Sequence, residues 1–126
     1  MGEPVQTTIR RATPDDVRTL AEKAPQTALL DDPGTIFLVA EQAGDVVGFV
    51  FGYVLPRRHG NATQLFVYEL DVDEPHRRQG IARRLMGTLL DGQEEGFVLT
   101  EPDNEAANAL YAALGGKRSE AVMWEW

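Results

Sequence analysis

The sequence predicts one domain of the α/β or α+β class, with helices on the faces of a single sheet. Strand-like and helix-like segments alternate along its 126 residues, which is typical of that class. Hydrophobic residues make up 43% and charged residues 25%, as in ordinary globular proteins. No internal repeat or linker divides the chain, so a single domain over residues 1–126 is expected.

The first half is predicted to begin with a short strand, followed by a helix. Thr13 suits an N-cap and Pro14 suits the first helical position, so the helix should begin there. The Asp-Asp-Pro-Gly stretch at 31–34 should break the helical or loop segment that follows. The predicted elements are a strand at 6–11, a helix at 13–24, a helical or loop segment at 25–35, and a hairpin of strands at 35–41 and 45–55.

The second half continues the alternation. Apolar residues from Ile81 to Leu90 recur at helical spacing, and Asn104 suits the N-cap of a further helix that ends in two glycines. The predicted elements are a strand at 63–72, a helix at 80–90, a strand at 96–100, a helix at 104–116 and a strand at 117–126.

Composition excludes several kinds of site. The chain has no cysteine and two histidines, so neither a thiol nucleophile nor a metal site is expected. No apolar run is long enough to span a bilayer, and the first residues lack the apolar core of a signal peptide. We therefore expect a cytoplasmic protein with no membrane partner.

The net charge of −8 argues against nucleic acid as a partner. An acidic surface attracts cationic substrates, although acidity also serves solubility alone. Both interpretations stay open on charge alone.

One segment is strongly basic although the net charge of the chain is negative. The stretch HRRQGIARRL, at 76–85, contains four arginines at the predicted start of a helix. Free N–H groups and the helix dipole favour an anion there, and Gly80 would let a phosphate approach the main chain. The sequence has no P-loop or dinucleotide-binding motif. The segment is therefore either a phosphate site or a solvated, arginine-rich helix start.

Two motifs carry a family resemblance. RRQGIA, at 77–82, resembles the (Gln/Arg)-x-x-Gly-x-(Gly/Ala) signature of the GNAT acetyltransferases, and NEAANALYAALGG, at 104–116, resembles their Asn-then-Tyr helix before Leu-Gly. With YVLP, Tyr-Glu-Leu-x-Val and EPHRRQGIA, the chain looks most similar to the aminoglycoside 3-N-acetyltransferases.

The resemblance implies a mixed, mostly antiparallel sheet of six to seven strands with about four helices, splayed between its fourth and fifth strands. It implies acetyl-CoA as cofactor, with the pyrophosphate on the N–H groups of Arg78 to Ala82 and the pantetheine arm along Leu70 to Val72. The implied cofactor-binding residues are Leu70, Asp71, Val72, Arg77, Arg78, Gln79, Gly80, Ile81, Ala82, Arg83, Asn104 and Asn108.

Acetylation of an amine requires a base and a proton donor for the departing thiolate. Glu69 interrupts an apolar strand, where partial burial would raise its pKa, so it is the first candidate for the base. Asp71 is the second, since strand alternation puts it on the same face unless a bulge intervenes. The resemblance implies Tyr111 as the acid. A structural carboxylate and a core aromatic are the competing interpretations of Glu69 and Tyr111.

A cationic substrate would need carboxylates around the cleft. The candidates are Asp31, Asp32, Glu101, Asp103 and Glu125. Taken together, the sequence predicts an acetyl-CoA-dependent N-acetyltransferase that acts on a cationic small molecule by direct attack in a ternary complex. An aminoglycoside, at the 3-N position, is the expected acceptor.

Other acceptors are a polyamine, a peptide or another metabolite amine. A non-catalytic acyl-CoA-binding module is the main alternative from another class. A homodimer is left open.

Overall fold

The computed structural model describes residues 5–21 and 23–126; residues 1–4 and Glu22, which the domain and first-helix predictions include, lie outside that part. Its strands are β1 (Thr7–Arg11), β2 (Thr35–Gln42), β3 (Asp45–Pro56), β4 (Thr63–Val72) and β5 (Gly96–Val98). Its α-helices are α1 (Pro14–Leu20), α2 (Ile81–Leu90) and α3 (Glu105–Ala113), and short 3-10 helices cover Thr27–Asp31 and Glu74–His76.

The sheet has the order β1-β2-β3-β4-β5. Every neighbouring pair is antiparallel except β4 and β5, which are parallel and joined by α2. The mixed, mostly antiparallel sheet is therefore confirmed, but the described residues hold five strands and three α-helices, fewer than predicted.

The predicted strand at 117–126 is wrong: these residues form no strand in the described structure, and all ten are exposed. Their apolar pattern, which includes Trp124 and Trp126, has the composition of a strand but finds no sheet partner. The first helix also ends early, with Ala21 as its C-cap, and the following segment forms a 3-10 helix.

The two faces of the sheet carry separate cores. The larger core lies between the sheet and α2, whose Ile81, Leu85, Met86 and Leu89 are buried. The smaller core lies on the opposite face, where Val17 of α1 packs with Phe37, Val39 and Phe51.

A bulge in β4 changes which side chains share a face. Phe51 pairs with Glu69 and Gly52 with Val67, so Tyr68 is an extra residue between them. The strands approach so closely that a methyl group on Gly52 would lie 2.5 Å from the carbonyl oxygen of Phe66. The Tyr68 ring lies 5.4 Å from that of Phe51, so Tyr68 and Glu69 lie on the face of the smaller core.

Candidate active site

A cleft opens where β4 and β5 separate. These strands pair only from Leu65–Gly96 to Val67–Val98, and beyond that point they diverge. The resulting cleft, about 930 Å³ in volume, is lined by residues 67–72 of β4, the start of α2, residues 98–100 and α3. The predicted splay between the fourth and fifth strands is present.

One end of the cleft suits an anion. Arg78 has φ 65° and Gly80 has φ 77°, so the turn before α2 contains two left-handed residues. The first-turn N–H groups of α2 have no partner within the helix, and they carry the positive end of its dipole. Arg77, Arg78 and Arg83 line the same end. A pyrophosphate would find both backbone donors and positive side chains here.

The arginines divide into two groups. Arg77 donates from Nε to the carbonyl of Val72 at 2.8 Å and faces the Asp71 carboxylate at 3.5 Å, so it ties the turn to β4. Arg84 donates to the carbonyl of Thr7 at 2.7 Å and ties α2 to β1. Arg78 and Arg83 make no ion pair within the described part of the chain, which leaves them available to a ligand.

Tyr111 lies on the α3 wall of the cleft. Its burial raises the pKa of the phenol above the ordinary value, which keeps the hydroxyl protonated at neutral pH. The end of α3 is fixed by Gly116 N–H, which donates to the Tyr111 carbonyl, and by Gly115 N–H, which donates to that of Ala112. This Schellman arrangement holds the helix turn that carries the phenol.

Glu69 lies on the β4 wall and lines the same cleft. Its side chain is exposed, so the predicted partial burial is wrong. The bulge at Tyr68 explains this exposure, because it turns Glu69 towards the rim of the smaller core. The competitor Asp71 pairs with Phe49, so it lies on the same face, and it is the residue that contacts Arg77.

Two tyrosines adjoin Glu69 on this face. The rings of Tyr53 and Tyr68 lie 5.7 Å apart in an edge-on arrangement, and Tyr68 is 55% exposed. Burial raises the pKa of Tyr53, and Tyr68, Glu69 and Asp32 add to the rise. Glu69 and Asp32 are therefore close enough to Tyr53 to act on it electrostatically.

Most of the cofactor-binding residues predicted from the resemblance meet at this cleft. Those that line it are Leu70, Asp71, Val72, Arg77, Arg78, Gly80, Ile81, Ala82, Arg83 and Asn104. Gln79 and Asn108 do not. The Asn108 amide donates to backbone carbonyls before α3, including that of Asn104 at 2.8 Å, and the Gln79 amide oxygen accepts from Gln42.

The predicted acidic group is not brought together. Asp32 lies near Tyr53, and its carboxylate accepts from the Gly34 N–H at 2.8 Å. Asp31 ends a 3-10 helix, while Glu101 and Asp103 precede α3; all three are exposed, and none lines the cleft. Glu125 lies in the exposed C-terminal segment.

Three residues near the site are not among those predicted from the sequence: Tyr53, Tyr68 and Gln42. Tyr68 directly precedes Glu69, which could have drawn attention to it, but regular strand alternation would place the two on opposite faces. Tyr53 begins the YVLP stretch, which supports the resemblance without giving the residue a role, and nothing in the local sequence marks Gln42.

Residues 5–21 and 23–126 hold no group of three or more potential metal ligands. Within the same residues, every helix is too short or too polar to cross a membrane.

The fold and the cleft define the class of this protein: an α/β domain with a cleft between two diverging strands and a basic turn at one end of that cleft. The chain belongs to the acetyltransferase (GNAT) family, whose model matches residues 4–115.

Three comparisons illustrate this membership. An L-2,4-diaminobutyric acid acetyltransferase of Marinococcus halophilus is 33% identical over 90 residues, which are 68% of this chain and 51% of that protein. An aminoglycoside acetyltransferase from an uncultured soil metagenomic sample is 26% identical, with a TM-score of 0.82 over 96% of this chain and 97% of that one. Aminoglycoside N-acetyltransferase AAC(6')-Iy, solved with CoA, shares the fold at 18% identity and a TM-score of 0.80, over 100% and 97% of the two chains. The chain spans about half the length of the first curated relatives that it matches, 51% and 55%.

Proposed function

We propose that this chain binds acetyl-CoA in the cleft and transfers the acetyl group to a primary amine of a cationic small molecule. The observation that carries the proposal is the cleft itself, where an anion-binding turn, two diverging strands and a protonated phenol line one continuous space. Acetyl-CoA is the acetyl donor of the GNAT acetyltransferases.

Three parts of acetyl-CoA match features of the cleft in this proposal: the pyrophosphate, the pantetheine arm and the thioester. The turn from Arg78 to Ala82 offers N–H groups and positive charge to the pyrophosphate. Beyond Val67, β4 pairs with no strand of the described residues on the β5 side, so Leu70 to Val72 can hydrogen-bond with the amides of the pantetheine arm. The thioester then lies between Glu69 on β4 and Tyr111 on α3.

The acceptor is expected on the face that carries the smaller core. Glu69 and Asp32 attract ammonium groups there, while the exposed Tyr68 ring offers a cation–π surface beside Glu69. A bound acceptor would also cover Glu69 and remove water from its carboxylate. The same charges repel an acceptor that carries a carboxylate of its own.

These residues can perform the proton transfers of direct attack. Glu69 accepts a proton from the acceptor ammonium, directly or through water, and releases the free amine. A β4 backbone N–H polarises the thioester carbonyl while the free amine attacks its carbon and forms the new C–N bond. The C–S bond then breaks, Tyr111 donates a proton to the departing sulfur, and the proton that the bonded nitrogen loses restores the Tyr111 phenol. The chain has no cysteine, so it offers no thiol for a covalent acetyl-enzyme.

An aminoglycoside, acetylated at the 3-N position, is the acceptor we propose first, because it carries several ammonium groups and no carboxylate. The fold comparison with an aminoglycoside acetyltransferase supports this choice. L-2,4-Diaminobutyric acid is the second candidate, since sequence relatives at 33% and 37% identity are acetyltransferases of that name. It ranks second because Glu69 and Asp32 would repel its α-carboxylate.

One panel assay tests both candidates. Purified protein with acetyl-CoA is given aminoglycosides, diaminobutyric acid, polyamines or neutral amines, and release of free CoA thiol is followed. We expect the highest kcat/KM for an aminoglycoside, and NMR of the product assigns the acetylated nitrogen. Preference for diaminobutyric acid would reverse the ranking, and CoA binding without any turnover would support the non-catalytic alternative.

A further inference from the structure

A buried amide behind the cleft contacts the anion-binding turn. Gln42, the last residue of β2, is 8% exposed and does not line the cleft. Its Nε2 donates to the Thr7 hydroxyl at 2.8 Å and to the Gln79 amide oxygen at 3.0 Å. Both amide hydrogens are therefore used, one on β1 and one on the turn.

The turn needs such support. Gln79 lies between the two left-handed residues Arg78 and Gly80, and Arg78 is not a glycine. A non-glycine residue in this region persists only where its surroundings hold it. Gln79 itself is exposed, so packing does not fix it, whereas its hydrogen bond to the buried Gln42 does.

The hydrogen bond from Gln42 is one of several side-chain hydrogen bonds that tie the turn and the start of α2 to neighbouring strands. Arg77 ties the N-terminal side of the turn to the Val72 carbonyl of β4, and Arg84 ties the first turns of α2 to the Thr7 carbonyl of β1. Gln42 holds the middle of the turn and shares Thr7 with Arg84. Three strands thus fix the direction of the N–H groups at the anion end of the cleft.

We propose that Gln42 is a positioning residue for acetyl-CoA, acting through Gln79 to aim the backbone N–H groups of the turn at the pyrophosphate. This inference rests on the proposed function, because it assigns a partner to the anion end of that cleft. It predicts a defect confined to ligands that carry the pyrophosphate. A residue that only stabilised the fold would affect every ligand alike.

The test replaces Gln42 with leucine, which keeps the volume but removes both donors. Calorimetry gives the Kd of CoA and of pantetheine, which has the same arm without the pyrophosphate. For Gln42→Leu we expect the CoA Kd to rise roughly three- to tenfold, as the loss of one hydrogen bond implies, while the pantetheine Kd stays within twofold. In turnover, KM for acetyl-CoA should rise and kcat should hold.

Thr35→Val is the matched control. Thr35 lies at the other end of β2 with the same 8% exposure, and its hydroxyl has no partner among the described residues. Its substitution should change neither Kd. If Gln42→Leu fails to fold, Gln79→Met removes the same hydrogen bond from its exposed partner. We expect this variant to weaken the binding of CoA but not that of pantetheine.

The outcomes separate this inference from the proposed function. If the wild type binds no CoA, the proposed function fails. If the wild type binds CoA but the Gln42 or Gln79 variant binds it equally well, or loses CoA and pantetheine to the same extent, the positioning role is overturned while the function stands.

Discussion

The two proton transfers of the proposed mechanism are assigned to single residues on opposite walls of the cleft. Tyr111 is on α3 and Glu69 is on β4, and both line the space where the thioester would lie. Their surroundings differ, since Tyr111 is half-buried and Glu69 is exposed. The proposed roles follow this difference: the buried phenol keeps its proton until the thiolate departs, and the exposed carboxylate meets the incoming ammonium.

Replacement of Tyr111 tests the proton donor. Tyr111→Phe removes only the hydroxyl, so the melting temperature should hold, while kcat should fall by about 10²–10⁴-fold, the usual contribution of a general acid. An acetyl thioester of a more acidic thiol should restore part of the rate. Because burial raises the pKa of Tyr111, wild-type activity should decline only above the ordinary tyrosine value of about 10. An unchanged kcat in Tyr111→Phe would remove the residue from the mechanism.

Replacement of Glu69 tests the base. Glu69→Gln keeps size and polarity but cannot accept the proton, so kcat should fall while the Kd of acetyl-CoA holds. The rise of activity with pH on the acidic side should disappear, and the more acidic thiol should bring no rescue. Asp71→Asn is the control on the same face. If Glu69→Gln keeps wild-type kcat at every pH and Asp71→Asn does not, the base is Asp71.

At the scale of the element, the backbone at the start of α2 has the geometry required of the proposed pyrophosphate site. Gly80 is the N-cap, with φ 77° and no atom near the position of an added Cβ. Space is therefore available for a side chain, but the left-handed backbone disfavours most of them; Asn and Asp tolerate it best.

This allows a charge-specific test at Gly80. Gly80→Asn and Gly80→Asp add side chains of nearly equal size, but only the second adds a negative charge beside the pyrophosphate. CoA at a hundredfold excess over Kd should stabilise the wild type by about 2.7 kcal/mol. The CoA-induced rise in melting temperature should be largely kept in Gly80→Asn and lost in Gly80→Asp. Equal shifts in both variants would place the pyrophosphate elsewhere.

The ion pair between β1 and α1 leads to a separate prediction about stability. Asp16 accepts from the Arg10 guanidinium at 2.6 and 3.1 Å, and it also accepts from the Thr13 backbone N–H at 2.7 Å. The Arg10 bond and the Thr13 bonds lower the pKa of Asp16 from 3.8 to about 2, against the opposing effect of burial.

Because the folded-state pKa lies below the unfolded one, this carboxylate stabilises the protein fully above about pH 4 and loses its contribution as the pH falls towards 2. Asp16→Asn should therefore melt below the wild type at pH 7, with a gap that narrows between pH 4 and 2. The control is Asp15→Asn, which removes an exposed ion pair with Arg18 and should change little. A gap independent of pH would assign the effect to packing.

At the scale of the whole molecule, the distribution of charge agrees with the proposed pair of substrates of opposite sign. The chain carries a net charge of −8, yet four of its twelve basic residues lie in 77–84, at the anion end of the cleft. In the proposed function, the general field together with Asp32 and Glu69 attracts the cationic acceptor, whereas the binding of acetyl-CoA depends on the local basic turn.

Salt should separate these two effects. As ionic strength rises, KM for a polycationic acceptor should increase because screening weakens its attraction to exposed carboxylates. Asp32→Asn should raise that KM at low salt and flatten its salt dependence, while KM for acetyl-CoA stays near the wild-type value. Equal turnover of neutral and polycationic amines by the wild type would contradict acidic selection of the acceptor.

Much of this protein follows from sequence alone where the cause is local. The capping box of Thr13 and Asp16, the Asn104 cap and the two glycines after α3 each depend on residues a few positions apart. The basic turn before α2 is local in the same sense, so its position was correctly predicted along with the mixed sheet and the splay that the resemblance implied.

Features that depend on residues far apart in the sequence were decided only by the tertiary structure. Alternation along β4 could not place Tyr68 and Glu69 on one face, because the bulge at Tyr68 is a feature of the pairing between β3 and β4. The strand at 117–126 had the right composition, but a strand also needs a neighbour to accept its hydrogen bonds. Gln42 and Gln79 are 37 positions apart, and only the folding of β2 against the turn before α2 brings their amides to 3.0 Å.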